Sequence, residues 1–283
     1  MTGLALPATN LIRKISHNIT RPVLLLSPNM RRIQKFQPKA HVLIETRRFT
    51  VRTVSNGADL AQVLRLRHDV FYRELLGKRK IFQLDVDRFD FVCDHLVISD
   101  NRTGEMVGTY RLNASPFSDR FYTESEFHFD DIRTLPGHKL ELGRACVKDG
   151  YRNGITLTLM WKGVLSYMEQ TNCRYLFGCS SIKTTETDTI RAIHRHMCDH
   201  HSIPELAHIR PRKSFLVRGL HESGEVPAIH AAELIPPLLQ FYLKCGARVC
   251  GEPALDRAFK CIDYLTILDK EQMADSAKRK YGS

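Results

Sequence analysis

Runs of alternating or uniformly apolar residues, separated by turn signals, recur along most of the chain and predict short β-strands. The first, a strand or a hairpin, lies at 41–54, where β-branched and aromatic residues alternate with polar ones up to the turn signal Asn56-Gly57. The further strand candidates lie at 95–99, 107–112, 139–147, 174–178 and 261–268. The turn-rich segment 100–104 joins the first two of these.

Apolar residues spaced three or four positions apart predict helices between these strands. Asp59 is expected to cap the first helix, whose apolar stripe runs over 60–75. Two more helices are predicted at 154–170 and around 187–197. A fourth, at 236–246, begins with proline and ends with glycine, the usual asymmetry of helix ends.

Together the strands and helices predict one α/β (α+β) domain over about 41–270, with a mixed central sheet flanked by helices. Residues 271–283 then form a C-terminal tail, and the segment 200–231 gives no clear pattern. Residues 1–40 contain seven Lys and Arg and no Asp or Glu. This basic N-terminal arm is expected either to contact anionic lipid, at about 1 kcal/mol per basic residue, or to be a solvated, partly disordered tail.

The chain has 283 residues, with 42 Lys and Arg against 31 Asp and Glu, and a formal net charge of +11. Such a surplus attracts an anionic partner: nucleic acid, an anionic membrane surface or an acidic protein. No stretch approaches the roughly 18 apolar residues of a spanning helix, and the apolar run 23–26 is too short for a secretory signal. We therefore expect a cytoplasmic protein, whose eight dispersed cysteines stay reduced.

Charged residues interrupt the apolar pattern in three places. The first is 67–71 on the first helix, followed by the aspartate-rich segment 84–90. Arg111 ends a strand, and Glu141 and Arg144 interrupt another. Residues three positions apart in a strand point to opposite faces, so Glu141 and Arg144 share a face only where a bulge intervenes.

In this order and spacing, the clusters resemble the GNAT-type acyltransferases of the branch that contains acyl-homoserine-lactone synthases and ornithine Nα-acyltransferases. The resemblance covers about 45–268. The motifs that carry it are R-x-x-V-F (67–71), D-x-D-R-F-D (85–90), C-D-H-L (93–96), G-T-Y-R-L (108–112), F-Y-T-E-S-E-F (121–127), E-L-G-R-A-C-V (141–147), Y-L-F-G-C (175–179) and C-G-E-P-A (250–254). C-D-H-L, Y-L-F-G-C and C-G-E-P-A are similar to the ornithine enzymes in particular.

The resemblance implies a GNAT fold and transfer of a 3-hydroxyacyl chain from the thioester of acyl carrier protein to the α-amine of ornithine, giving lyso-ornithine lipid. An ammonium has to lose a proton before it attacks a thioester, so a carboxylate near the reacting centre is needed as a base. Glu141 is the candidate catalytic base, and Arg144 would hold Glu141 or the donor carbonyl. Backbone N–H groups near 144–147 would meet the tetrahedral oxyanion.

The remaining ionic residues are assigned to the amino-acid acceptor. The predicted substrate-binding residues are Arg67, Phe71, Asp87, Asp90 and Arg111. Within this set, Asp87, Asp90 and Arg111 would form an ion-pair network that shapes the pocket and positions the substrate. The alternative for these three is a buried salt-bridge network that only braces the fold.

The donor site departs from the pattern of acetyl-coenzyme A enzymes. Those GNAT enzymes carry Q/R-x-x-G-x-G/A at a helix start, where backbone N–H groups cradle a pyrophosphate. Here 149–157 reads D-G-Y-R-N-G-I-T-L, and no register satisfies the pattern. This argues for the phosphopantetheine arm of a carrier protein, an acidic partner that suits the basic surplus, and for no permanently bound cofactor. The residues predicted to bind that arm are Cys146, Val147, Gly150, Arg152 and Gly154.

The sequence leaves other functions open. A His- and Cys-rich tract at 194–201 looks like a metal site, but its ligand pairs point apart on a helix, so no metal is expected. Cys146 as a covalent nucleophile is unnecessary for direct amine attack. Lys and Arg are spread along the chain without an aromatic-basic motif, so no nucleic acid is expected. Another acceptor amine, lactone synthesis and a non-catalytic GNAT-like binding protein stay as alternatives, and acyl length and oligomeric state stay open.

Overall fold

An eight-stranded mixed sheet forms the centre of the computed structural model, which describes residues 28–222 and 229–281. The strands are β1 (Leu43–Glu45), β2 (Phe49–Thr53), β3 (Asp94–Asp100), β4 (Glu105–Ala114), β5 (His138–Val147), β6 (Cys173–Ile182), β7 (Arg248–Asp256) and β8 (Cys261–Asp269). Their order is β1-β2-β3-β4-β5-β6-β8-β7, and neighbours are antiparallel except for β5 and β6. The predicted mixed sheet is confirmed.

Helices cover both faces of this sheet. They are α1 (Pro28–Gln34), α2 (Gly57–His68), α3 (Asp130–Thr134), α4 (Gly154–Gln170), α5 (Thr187–His201), α6 (Ala231–Leu234), α7 (Pro237–Lys244) and α8 (Asp275–Tyr281). On β3, Leu96 packs in one apolar cluster with Trp161 of α4, whereas the next residue, Val97, packs in another with Leu64 of α2. Since neighbouring strand residues point to opposite faces, α4 and α2 lie on opposite sides of the sheet.

Several connections contain short irregular turns. One π-helical turn, Asp69–Glu74, continues α2, so the apolar stripe predicted as one helix over 60–75 changes geometry at Asp69. The 3₁₀ turns are Arg88–Phe91, Thr123–Ser125, Pro204–Leu206, Lys213–Phe215 and Lys270–Gln272. Within the described ranges, no helix is both long enough and apolar enough to cross a bilayer.

Two local expectations were wrong. The cap of α2 is Asn56, whose side chain accepts hydrogen bonds from the backbone N–H groups of Ala58 and Asp59, so Asp59 is a first-turn residue instead. Strand β7 was missed because glycine and proline interrupt its apolar pattern. Gly251 there has φ +62°, and a side chain at this position would meet the Ile209 carbonyl, so the irregularity is built into the strand.

The packed part of the chain starts before the predicted boundary at 41. Residues 1–27 of the basic arm lie outside the described residues, but α1 follows them and buries Ile33 against α2. The Asp94 carboxylate accepts hydrogen bonds from the backbone N–H groups of Lys39 and Ala40. The last part of the arm is therefore a packed segment of the domain. Residues 223–228, in the stretch without a clear pattern, also lie outside the described residues.

A bulge in β5 changes the direction of the side chains near its middle. Thr109 of β4 pairs with Cys146, whereas Arg111 pairs with Gly143, so two β5 residues oppose one β4 residue. Arg144, inside the bulge, has φ +51° in the left-handed region. The bulge that Glu141 and Arg144 need in order to share a face of the strand is therefore present. It turns Arg144 towards Asp87, which Arg111 also contacts.

Strands β5 and β6 are paired only at their beginning. The parallel ladder ends where Glu141 pairs with Phe177, although both strands continue for several residues. At the point of parting, a Cβ on Gly178 would lie 2.3 Å from the Leu142 carbonyl oxygen. The strands beyond this point enclose a wedge-shaped gap, called the wedge below.

Candidate active site

A charge-balanced ion-pair network lies beside the bulge and joins α2, β4, β5 and the segment before β3. Arg67 Nη2 lies 2.7 Å from Asp85 Oδ2, and its Nη1 contacts Asp90. Arg111 Nη1 lies 2.7 Å from Asp87 Oδ2 and 3.2 Å from Asp90 Oδ1. The structure therefore brings together four of the five predicted substrate-binding residues, and all of the network's members except Asp87 and Arg144 are buried.

The arginines keep the carboxylates of this network ionised. Burial alone would raise the pKa of Asp90, but Arg67 and Arg111 outweigh it and hold that pKa well below its usual range. The pKa of Asp85 is lowered in the same way by Arg67 and Arg144, against its own burial. A capping box fixes the geometry, because Asp90 accepts a hydrogen bond from the Asp87 N–H at 2.8 Å. We expect each charge of the network to be neutralised within it.

Arg144 is the arginine of the network that reaches furthest towards solvent. Its Nη2 lies 3.1 Å from Asp87 Oδ2 and its Nε lies 3.3 Å from Asp85 Oδ2. The guanidinium carbon lies 5.2 Å from the ring centre of Tyr122 and 5.9 Å from that of Phe259. Its side chain is 17% exposed, so it can meet a ligand without leaving its partners.

The fifth predicted substrate-binding residue, Phe71, joins the site through an aromatic contact. It lies on the π-helical turn, is half-buried, and packs edge to face on Phe259 with ring centres 6.4 Å apart. Phe259 in turn lies beneath the Arg144 guanidinium. Phe71 therefore contributes to the apolar wall of the site through a residue of the β7–β8 turn that was not predicted.

The Glu141 carboxylate is buried and surrounded by hydrogen-bond donors. Oε1 accepts from the backbone N–H and the hydroxyl of Thr123, both at 2.7 Å. Oε2 accepts from the Tyr122 N–H at 2.9 Å and from Asn113 Nδ2 at 3.4 Å. Glu141 thereby holds the turn that carries Tyr122, whose ring faces Arg144. Both oxygen atoms of the carboxylate therefore already have donors within the protein.

The residues predicted to bind the donor arm lie at the far end of β5 and in the loop that follows. Cys146 is buried, and burial raises the pKa of its thiol to about 12, so the thiol stays protonated. The next residue, Val147, accepts a hydrogen bond on its carbonyl from Arg152 Nε at 3.0 Å. Arg152 also pairs with Glu74 at 2.5 Å, which ties this loop to the π-helical turn.

The start of α4 offers little room for a phosphate cradle. Gly150 has φ +81° in the loop, and Gly154 is the first residue of the helix. The Asn153 side chain accepts hydrogen bonds from the N–H groups of Ile155 and Thr156, both at 3.1 Å. Two amides that could bind a phosphate at this helix start are therefore already occupied by a side chain.

A small cavity occupies the wedge between β5 and β6. Its lining residues are Leu142, Leu176, Phe177, Gly178, Cys179, Ser180, Tyr242, Thr266, Ile267 and Leu268. Most of these are apolar, and they come from β5, β6, β8 and α7. Cys179 connects this cavity to the Glu141 region, because its thiol lies 3.7 Å from the Thr123 hydroxyl.

On the other side of Cys179 lies a buried group of three carboxylates, Glu126, Asp256 and Asp263, called the acidic cluster below. Oxygen atoms of Asp256 and Asp263 lie with the Cys261 sulfur within 4.8 Å of one another, a spacing that would admit a shared cation. Asp263 also accepts a hydrogen bond from the hydroxyl of Ser181, an exposed residue at the end of β6. The acidic cluster therefore lies one residue beneath the surface.

Among the described residues, no arginine forms a salt bridge with the acidic cluster, in contrast to the ion-pair network. Burial and the neighbouring Asp263 raise the pKa of Glu126 to about 8. Burial, together with Asp256, raises the pKa of Asp263 to about 6, although Ser181 and Arg144 act in the opposite direction. Sequence reasoning missed this group, although Glu126 belongs to the motif F-Y-T-E-S-E-F (121–127) and Asp263 interrupts the apolar run 261–268.

Comparisons with known proteins agree with this architecture. Residues 66–162 match the acetyltransferase (GNAT) domain family. The chain is 28% identical over 246 residues to an L-ornithine Nα-acyltransferase of Rhodobacter capsulatus, covering 82% of this chain and 94% of that protein. It is 29% identical over 255 residues to the L-ornithine Nα-acyltransferase of Brucella abortus, covering 82% and 88%.

Among solved structures, the acyl-homoserine-lactone synthase LasI aligns with a TM-score of 0.47 at 11% identity, covering 86% of this chain and 97% of that chain. The resemblance predicted from the motifs is confirmed by these comparisons. The chain thus has the GNAT fold and carries a GNAT-type acyltransferase domain, and most of its length is similar to L-ornithine Nα-acyltransferases.

Proposed function

We propose that this protein transfers a 3-hydroxyacyl group from the phosphopantetheine thioester of acyl carrier protein to the α-amine of L-ornithine, giving lyso-ornithine lipid. The ornithine acceptor is supported by the relatives, which are named for that activity and align over most of the chain. The observation that carries acyl transfer is the parting of β5 and β6 next to the bulge and the ion-pair network. This places an open strand edge beside a polar pocket.

The wedge is the proposed site of the donor arm. Beyond Glu141, β5 pairs with β4 on one side, while its pairing with β6 has ended. Backbone N–H and C=O groups along such an edge need partners, and the amides of an extended phosphopantetheine arm supply them. The apolar lining of the cavity then receives the first part of the acyl chain, with about 0.8 kcal/mol per buried methylene group.

A carrier protein suits the donor loop better than coenzyme A does. Asn153 already occupies two amides at the start of α4, and Arg152 is paired with Glu74. A carrier arm has a single phosphodiester, which requires fewer donors than a pyrophosphate does. The net charge of +11 also favours encounter with an acidic protein.

The chemical step needs a neutral amine, an oriented thioester and a place for the negative charge. The α-amine nitrogen attacks the thioester carbonyl, a C–N bond forms, and collapse of the tetrahedral intermediate breaks the C–S bond. The arm leaves as a thiolate that takes up the proton lost by the amine. Backbone N–H groups at 144–147, next to the bulge, are proposed to donate to the oxyanion, and Arg144 to bind the acceptor carboxylate.

The catalytic role of Glu141 stays a prediction. Its hydrogen bonds to Thr123 and Tyr122 favour positioning of the turn over proton transfer. Glu141→Gln separates the two roles, since a base would lose about 10²–10⁴-fold in kcat at unchanged stability. Loss of melting temperature together with a smaller loss of kcat would assign Glu141 to positioning.

The proposed function is tested with purified protein and 3-hydroxyacyl carrier protein or the matching acyl-coenzyme A as donor. The acceptors are ornithine, lysine, glycine and S-adenosylmethionine, and product is measured by mass spectrometry. We expect N-acylornithine from the carrier-protein donor. Another amino acid as the preferred acceptor would replace the substrate, and a lactone formed from S-adenosylmethionine would place the protein with the synthases. A folded protein that transfers to none of them would contradict acyl transfer.

The product is amphiphilic, so we also propose that the reaction takes place at the cytoplasmic face of a membrane. Supporting this, Ile81 and Phe82 are exposed directly after the basic run 78–80. Sedimentation with anionic and zwitterionic vesicles tests the contact. Binding to anionic vesicles that weakens with salt and in Ile81→Ser/Phe82→Ser is expected. Equal recovery with both vesicle types would contradict it.

A further inference from the structure

The acidic cluster has an oxygen atom that the protein does not satisfy. Glu126 is only 1% exposed, and its Oε2 accepts no hydrogen bond from any described residue. A buried acceptor without a donor is costly, so this oxygen calls for a partner that the protein itself does not supply. The side chains that face the carboxyl group of Glu126 are the acidic Asp263 and Asp256 and two weak donors, the Tyr122 hydroxyl and the Cys179 thiol, and neither donor satisfies Oε2.

The position of the cluster links it to both halves of the proposed reaction. Cys179 lines the wedge cavity and lies beside Glu126, so the cluster begins where the donor cavity ends. Tyr122 connects it to the acceptor side, because the ring of Tyr122 faces the Arg144 guanidinium. A ligand between Arg144 and Glu126 would have a cation at one end and carboxylates at the other.

We propose that Glu126 and Asp263, supported by Asp256, bind the side-chain ammonium of the acceptor and select a dibasic amino acid. This assignment rests on the proposed function, in which Arg144 receives the acceptor carboxylate. An ammonium supplies the hydrogen-bond donors that Glu126 Oε2 lacks and a positive charge between two neighbouring carboxylates. A neutral acceptor of the same length would leave these groups unsatisfied, so the site would reject it.

The chemistry of the group favours an ammonium over a metal ion. The sulfur closest to the two aspartates belongs to Cys261, and burial raises the pKa of that thiol far above its usual range. The atoms close enough to share an ion belong to Asp256, Cys261 and Asp263, whereas the unsatisfied oxygen belongs to Glu126, outside that group. An ammonium requires only acceptors, which the carboxylates provide.

The test compares ornithine with norvaline, which has the same carbon chain and no δ-amine. Binding of each amino acid is measured by calorimetry and by thermal shift, and acyl transfer is measured separately. The variants are Glu126→Gln and Asp263→Asn, which keep size and remove charge. Glu124→Gln is the matched control, since Glu124 is two residues away and pairs with Arg133.

In the wild type, ornithine is expected to bind and to raise the melting temperature, and norvaline to do so much less. Each cluster variant should lower the ratio of kcat/KM for ornithine to that for norvaline by about 10–100-fold, and the control should not. Equal losses for both amino acids, an unchanged ratio, or activity that is lost with a chelator would overturn the assignment. Selective binding of ornithine without acyl transfer would support this subsite and count against the proposed function.

Discussion

Arg144 belongs to the ion-pair network and lies near the acidic cluster, and the buried carboxyl groups of the two have opposite electrostatic environments. In the network, Arg67 and Arg111 hold the pKa of Asp90 well below its usual range. In the acidic cluster, burial and neighbouring carboxylates raise the pKa of Glu126 to about 8. The charges of the ion-pair network are compensated without a ligand, whereas the acidic cluster would be stabilised by a ligand or a proton that neutralises its carboxylates.

This difference predicts that the ion-pair network holds side chains in place and that the acidic cluster binds a ligand. A network whose charges are matched internally gains little from a ligand, so its role is to hold Arg111 and Arg144 in place. An unmatched group gains most from the ligand that supplies the missing charge. For Asp87, Asp90 and Arg111, bracing of the fold stays a prediction, as does contact with the substrate.

The largest effect is expected from breaking the network at its centre. Arg67→Met leaves Asp85 and Asp90 buried without their main partner, which should lower the free energy of unfolding by about 3–5 kcal/mol. Urea denaturation measures this loss. The matched control is Arg73→Met, because Arg73 is exposed and pairs only at 3.7 Å with Asp69. If both variants lost the same small amount, the network would not brace the fold.

A smaller effect on stability but a large one on activity is expected at Arg144, where the two groups meet. Arg144→Lys keeps the charge but loses the planar geometry that spans Asp85 and Asp87 while lying over Tyr122. We expect kcat/KM for acyl transfer to fall by about 100-fold, since misplacing a positioning group costs that much. Steady-state kinetics and melting curves measure the two effects. Activity near that of the wild type would remove Arg144 from the acceptor site.

The pH dependence of the free energy of unfolding should show that the pKa values of the acidic cluster are raised on folding. A carboxyl whose pKa is raised on folding contributes stability while it is protonated, and this contribution is lost as pH rises through the folded pKa. For Glu126 the window runs from about 4.5 to about 8. Compared with the wild type, Glu126→Gln should therefore have unchanged stability below about pH 4.5 and should gain stability progressively as the pH rises to about 8.

Denaturation curves of the wild type and Glu126→Gln across this range measure the gain. Asp263 acts in the same direction at lower pH, so Asp263→Asn should show its gain earlier, over a window from about 3.8 to about 6. Parallel curves for wild type and variants at all pH values would mean that the carboxylates are already neutralised in the free protein.

The smallest effect is expected next to the network at Cys146. Its buried thiol, with its pKa raised to about 12, stays protonated and is not required for direct attack by the amine. Cys146→Ala should change kcat by less than about twofold and stability by about 1 kcal/mol through the small cavity it leaves. An acyl-enzyme detected by mass spectrometry in the wild type and absent from the variant would contradict direct transfer.

The sequence predicted the sheet and the balanced half of the site because both leave local signals. Arg111 and Glu141 are charged residues in apolar strands, and Asp87 and Asp90 belong to a compact capping motif. The acidic cluster leaves almost none. Glu126 lies in a loop and Asp263 in the last strand, and they meet only because β8 inserts between β6 and β7. Such a contact depends on strand order, which periodicity does not determine.

The hydrogen atom that serves as the side chain of Gly178 sets the depth of the wedge. Since a Cβ there would collide with the Leu142 carbonyl, the strands can stay together up to this residue and no side chain can fill the apex. In the proposed binding mode, the apex limits how deeply the phosphopantetheine arm, which has a constant length, can enter the wedge. Gly178 then determines how far the thioester advances along β5, and therefore the position from which the acceptor amine has to attack it.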